Sequence, residues 1–271
     1  MVFILLAALW FSGWVFAVIF LVITVLGLWE FYGLVENEER QPQKIFGTLA
    51  GVLVYCGTAL TFLVSWPDNA SWQTILPLTP FLLPAPLFFI AFIIEIYRAR
   101  PNPLVNIAIT ILGIIYIALP LSLLTWFIRP DAVRFLGMPA ALVGYFAFTW
   151  IYDTAAYLYG KQFGRHKFFE RISPKKTWEG TIAGAAVTLA VAFCLGIFAP
   201  VMPSAAWFTM ACLVILFGTH GDLAESLIKR SLNVKDSGTI LPGHGGILDR
   251  FDTMLISAPF VFLYLFFTNH T

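Results

Sequence analysis

Asp153, Asp222, Asp249 and Asp252 stand inside or at the edges of long apolar runs of the chain. An ionised carboxylate is costly at membrane depth, so such a residue is a candidate for chemistry before it is a candidate for structure. Asp222, Glu225, Ser226 and Lys229 are spaced i, i+3, i+4 and i+7 and would share one helix face. A helix starting near Ala205 carries Asp222 about 25 Å along its axis, close to one membrane edge. The plainer alternative is a capping or snorkelling face at a helix end. For Glu30 and Glu95, which also fall near the ends of apolar runs, that plainer reading is the expectation.

A second group follows at once. Lys235-Asp236-Ser237-Gly238 leads to Pro242-Gly243-His244-Gly245-Gly246, then to Asp249-Arg250-Phe251-Asp252. Glycines around a histidine let the backbone approach an anion closely, and consecutive amides in such a turn can cradle phosphate oxygens. Asp249 and Asp252, at i and i+3, would open the last helix from one face. Carboxylates beside bound phosphate call for a bridging cation, and Mg²⁺ fits, since it commonly uses one or two carboxylates plus substrate phosphates. His244 could donate to a phosphate oxygen or could be a loop residue only. A third group, Ser173-Pro174-Lys175-Lys176-Thr177-Trp178-Glu179-Gly180, puts two lysines and a hydroxyl at a helix start, which suits a polyphosphate. Its alternative is a basic anchor facing lipid headgroups, with Trp178 at the interface. There is no GxxxxGK[ST] loop, so a nucleotide would be held by another route.

The elements that position these groups are membrane helices. Of the 271 residues 59% are hydrophobic and 11% charged, where a soluble domain carries roughly a quarter charged residues. Apolar runs of about 20 residues imply helices, because lipid offers backbone groups no other partner. The fold class expected is therefore all-α and polytopic, with eight or nine transmembrane helices. The stretch from Val2 to Leu34 is too long for one span; a break at Ser12-Gly13 gives a short first helix and a full second one. Further spans are expected near 46–65, 77–97, 103–125, 136–157, 180–199, 205–224 and 253–268. Met1 to Phe11 lacks a basic leader and a cleavage site, so the first segment is expected to stay in the membrane. A single membrane-embedded domain over 1–271 is expected, with N-terminal helices in 1–135 and a catalytic half in 136–271. Cys56, Cys194 and Cys212 read as small apolar fillers.

Charge by position sets orientation. Alternate loops hold Arg40, Lys44, Arg98, Arg100, Lys161, Arg165, Lys167, Arg171, Lys175, Lys176, Lys229, Arg230, Lys235 and Arg250 on one side, against Arg129 and Arg134 on the other. The first side is expected to be cytoplasmic. It also carries the two longest polar stretches, about 158–179 and 226–252.

The run from Ser226 through Lys229-Arg230, Lys235-Asp236 and Pro242-Gly243-His244-Gly245-Gly246 to Asp249-Arg250-Phe251-Asp252 resembles the signature of phosphatidate cytidylyltransferases. Trp150 to Tyr157 and Ser173 to Gly180 are similar to two further blocks of that family, in the same order. The resemblance covers about the last 125 residues firmly and the N-terminal half only as hydropathy. The chain departs from the family pattern at its start, which is apolar where a short basic segment is usual. The resemblance implies that CTP and phosphatidate give CDP-diacylglycerol and diphosphate, in a helical fold open to cytoplasm and bilayer. It implies a paired-cation centre of Mg²⁺ with K⁺, with Asp222 and Asp249 as metal-binding aspartates and Lys229 as a basic residue there. The Ser173 block would contact the nucleotide.

The full expected site has Asp222, Lys229, Asp249 and His244 as catalytic residues, and Asp153 and Asp252 joining Asp222 and Asp249 at the metal. Ser173, Lys175, Lys176, Thr177, Ser226, Arg230, Lys235, Asp236, Gly245, Gly246 and Arg250 would bind substrate. Expected partners are CTP, phosphatidate and membrane lipids, with a homodimer allowed and nucleic acid not expected. The location implied is a bacterial-type inner membrane with the site facing the cytoplasm. A CTP-dependent lipid kinase and a membrane transporter are the rivals. A transporter would favour polar groups at mid-membrane in a broken-helix pair, which the sequence does not suggest.

Overall fold

A computed structural model of the chain describes residues 13–64, 78–238 and 245–268. Expectations for the helix within 2–11 and for His244 fall outside the described residues. The helices follow the apolar runs. They are α1 (Gly13–Val35), α2 (Lys44–Leu63), α3 (Thr79–Leu82), α4 (Pro84–Arg98), α5 (Pro103–Gly113), α6 (Leu119–Leu123), α7 (Ala140–Phe163), α8 (Trp178–Phe198), α9 (Ser204–Ser231) and α10 (Leu248–Thr268). A π-helical turn, Ile114–Ala118, joins α5 to α6, and a 3₁₀ turn, Leu124–Ile128, follows α6. Two short antiparallel hairpins complete the described set: β1 (Arg134–Phe135) with β2 (Met138–Pro139), and β3 (Lys167–Phe169) with β4 (Ser173–Thr177).

Proline accounts for several boundaries. Pro84 and Pro103 stand in the first turns of α4 and α5, where a missing N–H costs nothing. Pro120 cannot donate to the preceding turn and its ring crowds that turn's carbonyl, so the helix widens just before it.

Among the described residues, six helical segments are long and apolar enough to cross a membrane: Gly13–Val35, Lys44–Leu63, Pro103–Ile128, Trp178–Phe198, Ser204–Ser231 and Leu248–Thr268. The run 77–97 is instead broken into α3 and a 15-residue α4. The 24-residue α7 is long enough, but four tyrosines, Asp153 and Lys161 dilute its hydropathy. It also runs past the expected end at 157, so the polar stretch 158–179 begins as helix and continues as the β3–β4 hairpin.

The chain divides into two compact units, one of Met1–Pro130 with Val234–Phe251, the other of Asp131–Asn233 with Asp252–Thr271. In the first, α1, α2 and the helical segment from Pro103 pack around Tyr32. Gly47 and Gly113 each face its ring, and a Cβ at either would fall inside contact distance of it. The Tyr32 hydroxyl donates to the Thr110 carbonyl at 2.6 Å. In the second unit, α7 and α8 meet through small residues. A Cβ on Gly180 would lie 2.5 Å from the Ala156 carbonyl oxygen, and one on Gly184 3.0 Å from that of Tyr152. This close backbone approach is the usual way membrane helices gain packing energy.

Candidate active site

In the second unit, β4 ends at Thr177, whose hydroxyl accepts the Gly180 amide and caps α8. Lys176, just before that cap, reaches α9: its Nζ lies 2.7 Å from Asp222 Oδ2 and donates to the Thr219 carbonyl at 3.4 Å. Asp222 Oδ1 accepts from Ser226, one turn on, at 3.3 Å. The next turn of α9 holds a second pair, Lys229 Nζ to Glu225 Oε2 at 2.6 Å, with Glu225 buried. On this helix Asp222 contacts Ser226 and Glu225 contacts Lys229, as their i, i+4 spacing requires. The helix itself runs nine residues beyond Asp222, to Ser231.

Gly218 and Gly221 of α9 admit the last helix. A Cβ at Gly221 would collide with the Asp252 carbonyl oxygen, and one at Gly218 would lie 2.6 Å from the Thr253 methyl. Thr253 ties two carboxylates together, its hydroxyl lying 3.3 Å from Asp153 Oδ2 and 3.4 Å from Asp252 Oδ1. Asp153, Asp222 and Asp252 are close enough to repel one another, and Lys176 is the cation that acts on Asp153 and Asp252 as well as pairing Asp222. Three carboxyl groups around one lysine offer oxygen ligands of the kind a hard cation takes. Among the described residues no group of three or more His, Cys, Asp or Glu is arranged as a ready metal cage. Mg²⁺ often takes only one or two carboxylates and completes its shell with phosphate and water, so this donor set fits it.

In the first unit, Asp249 sits in the opening turn of α10. Its Oδ2 accepts the Ser237 amide at 3.0 Å, the Ser237 hydroxyl at 3.0 Å and the Gly246 amide at 3.1 Å. Gly245 adopts φ +82°, the left-handed region that a side chain disfavours. The Ser237 and Gly246 amides thus point at one carboxylate, Asp249 itself.

Other expected site residues stand farther out. Lys175, Lys235, Asp236 and Arg250 are exposed. Arg230 is exposed and its Nε donates to the Ile172 carbonyl at 3.4 Å. Ser173 opens β4, opposite Phe169. Sequence reasoning missed Glu30, which is not a snorkelling end group. It is buried and accepts hydrogen bonds from Ser237, Ile247 and Leu248. The signal available was the one applied to Asp153, an acid inside an apolar run.

Paired acids and bases at the ends of membrane-length apolar helices are the kind of grouping that marks a membrane-embedded enzyme. The chain belongs to the cytidylyltransferase family, which it matches over residues 1–268, and it is accordingly a nucleotidyltransferase. It is similar to a phosphatidate cytidylyltransferase of Rickettsia felis, 38% identical over 165 residues, covering 58% of this chain and 70% of that protein. Phosphatidate cytidylyltransferases of Staphylococcus saprophyticus and Staphylococcus aureus are 47% identical over 116 residues. Each staphylococcal match covers 42% of this chain and 44% of the relative, so it spans less than half of those proteins.

Proposed function

We propose that the protein is a phosphatidate cytidylyltransferase, making CDP-diacylglycerol and diphosphate from CTP and phosphatidate. The observation that carries this is the Lys176–Asp222 contact at 2.7 Å. It joins the Ser173–Gly180 block to α9 one turn before the Ser226–Asp252 run begins, and the resemblance assigns Lys176 and Asp222 to one site.

The chemistry fits the residues. Phosphatidate is a phosphate monoester with a second pKa of about 6, so it is largely ionised at neutral pH and needs no strong base. Its oxygen attacks the α-phosphorus of CTP, the new P–O bond forms, and the bond to the β-phosphate bridge breaks to release diphosphate. The main obstacle is repulsion between two anions. Lys176 and Lys229 supply positive charge against that repulsion. Asp222, assisted by Asp252 and Asp153, would hold Mg²⁺, the resemblance gives Asp249 the same role, and K⁺ would be a second cation. Bound there, the metal would neutralise charge on the transferred group and the leaving diphosphate.

The same reading gives eight or nine spans, adding α4, α7 and the run before Gly13 to the six apolar segments. It places the site at the cytoplasmic face of a bacterial-type inner membrane, on the strength of the basic loops. The test is purified protein incubated with CTP, phosphatidate and Mg²⁺. Formation of a CDP-lipid that requires all three supports the proposal; its absence with folded protein refutes it.

A further inference from the structure

Glu30 lies in the second half of α1, far in sequence from the signature run, and is 6% exposed. A buried carboxylate is tolerated only when donors surround it. Its Oε1 accepts from the Ser237 hydroxyl at 2.6 Å and the Leu248 amide at 3.0 Å, and its Oε2 from the Ile247 amide at 2.9 Å. The space it fills is shaped for it. A Cβ on Gly238 would lie 2.7 Å from Oε2, and one on Gly246 would overlap Oε1 and the Ser237 hydroxyl. Two of the donors are the amides that open α10, where the helix dipole favours a negative charge.

The same contacts frame Asp249. Ser237 is held from two sides, its hydroxyl between Glu30 Oε1 and Asp249 Oδ2 and its amide on Asp249. A hydroxyl hydrogen serves one acceptor at a time, and the shorter contact is the one to Glu30. Ile247 and Leu248, which Glu30 holds by their amides, immediately precede Asp249. Glu30 therefore clamps the chain on both sides of 239–244 and fixes the turn from which Asp249 projects.

We infer that Glu30 is a positioning residue for Asp249: it anchors Ser237 and the opening turn of α10, and so sets how the Asp249 carboxylate is presented to its cation. The inference rests on the proposed function in taking Asp249 as a cation ligand. Glu30→Gln keeps the side chain's size but removes the charge and turns an NH₂ towards one of the two backbone N–H groups. Two measurements on the purified variant test the inference. The first is hydrogen–deuterium exchange of the 245–255 segment without substrate; exchange at Ile247 and Leu248 should quicken at least about tenfold, with α8 unchanged. The second is a Mg²⁺ titration of turnover, in which half-saturation should rise about fivefold or more while KM for CTP stays within about twofold. Unchanged exchange overturns the anchoring, and a lower rate at unchanged Mg²⁺ half-saturation overturns the positioning. Should the variant aggregate, Ser237→Ala keeps both amide contacts to Glu30 and carries the titration alone, with the same expected rise and the same overturning result. Because the exchange measurement involves no reaction, it can fail or succeed independently of the proposed function.

Discussion

Replacing Asp249 by Asn removes a charge while keeping a shape. In the folded protein one oxygen, Oδ2, accepts the Ser237 amide at 3.0 Å and the Gly246 amide at 3.1 Å. The Asn amide oxygen can take that position and keep both. Each bond then changes from a charged acceptor, worth about 1.5–3 kcal/mol, to a neutral one, worth about 0.5–1.5 kcal/mol. The turn is loosened but not broken, and the variant should insert and fold. Activity should suffer far more. A metal ligand supports several kcal/mol of transition-state stabilisation, and about 4 kcal/mol corresponds to roughly three orders of magnitude in rate. The assay is conversion of labelled CTP to CDP-lipid in detergent–phosphatidate micelles at saturating Mg²⁺, with gel filtration and thermal unfolding to verify the fold. A well-folded variant retaining more than about a tenth of the wild-type rate, a loss of only ~1.4 kcal/mol, would refute the role given to Asp249.

Gly221→Ala should lower both thermal stability and activity, because its methyl meets the Asp252 backbone carbonyl, which cannot swing aside; a variant with wild-type melting temperature and rate would contradict the packing of α9 on α10. Lys176→Met removes the partner of Asp222 and should cut turnover by about a hundredfold or more, as loss of ~2.7 kcal/mol would; near-normal turnover in folded protein would remove Lys176 from the site. With native cysteines replaced, Gln162→Cys lies at the C-terminal end of α7 and Asp131→Cys lies before its N-terminal end, and α7 itself spans about 36 Å. Impermeant reagents should label the first only from the cytoplasmic side and the second only from the other; labelling of both from one side would overturn the orientation. Chelation of Mg²⁺ should abolish turnover and its return restore it, as read by CDP-lipid formation.

The helices were legible because apolar runs of membrane length admit few other structures, and α1, α2, α8 and α10 start within a few residues of their expected positions. Charge was less legible. Lys176 and Asp222 are separated by 46 positions, and no periodicity links them; only tertiary packing brings them to 2.7 Å. The spacing of Asp222, Ser226 and Lys229 did give a shared face, since helix geometry alone fixes it. Glu30 was misread because its nearness to the end of an apolar run suggested an exit to water. Its true partners lie more than 200 residues away in sequence. The apolar run near 205–224 ends early, yet α9 continues to Ser231, and only the Asp222–Lys229 spacing pointed to helix beyond the run.

The central claim is which bond of CTP breaks. Attack at the α-phosphorus transfers the CMP unit, whereas a lipid kinase would move only the γ-phosphoryl group. The decisive measurement is a pair of incubations of the purified protein with phosphatidate and Mg²⁺, one with CTP labelled at the α-phosphate and one with label at the γ-phosphate. The account predicts α-label in the lipid fraction, dependent on phosphatidate, and γ-label wholly in free diphosphate. Appearance of γ-label in lipid, with α-label left in soluble nucleotide, would contradict it.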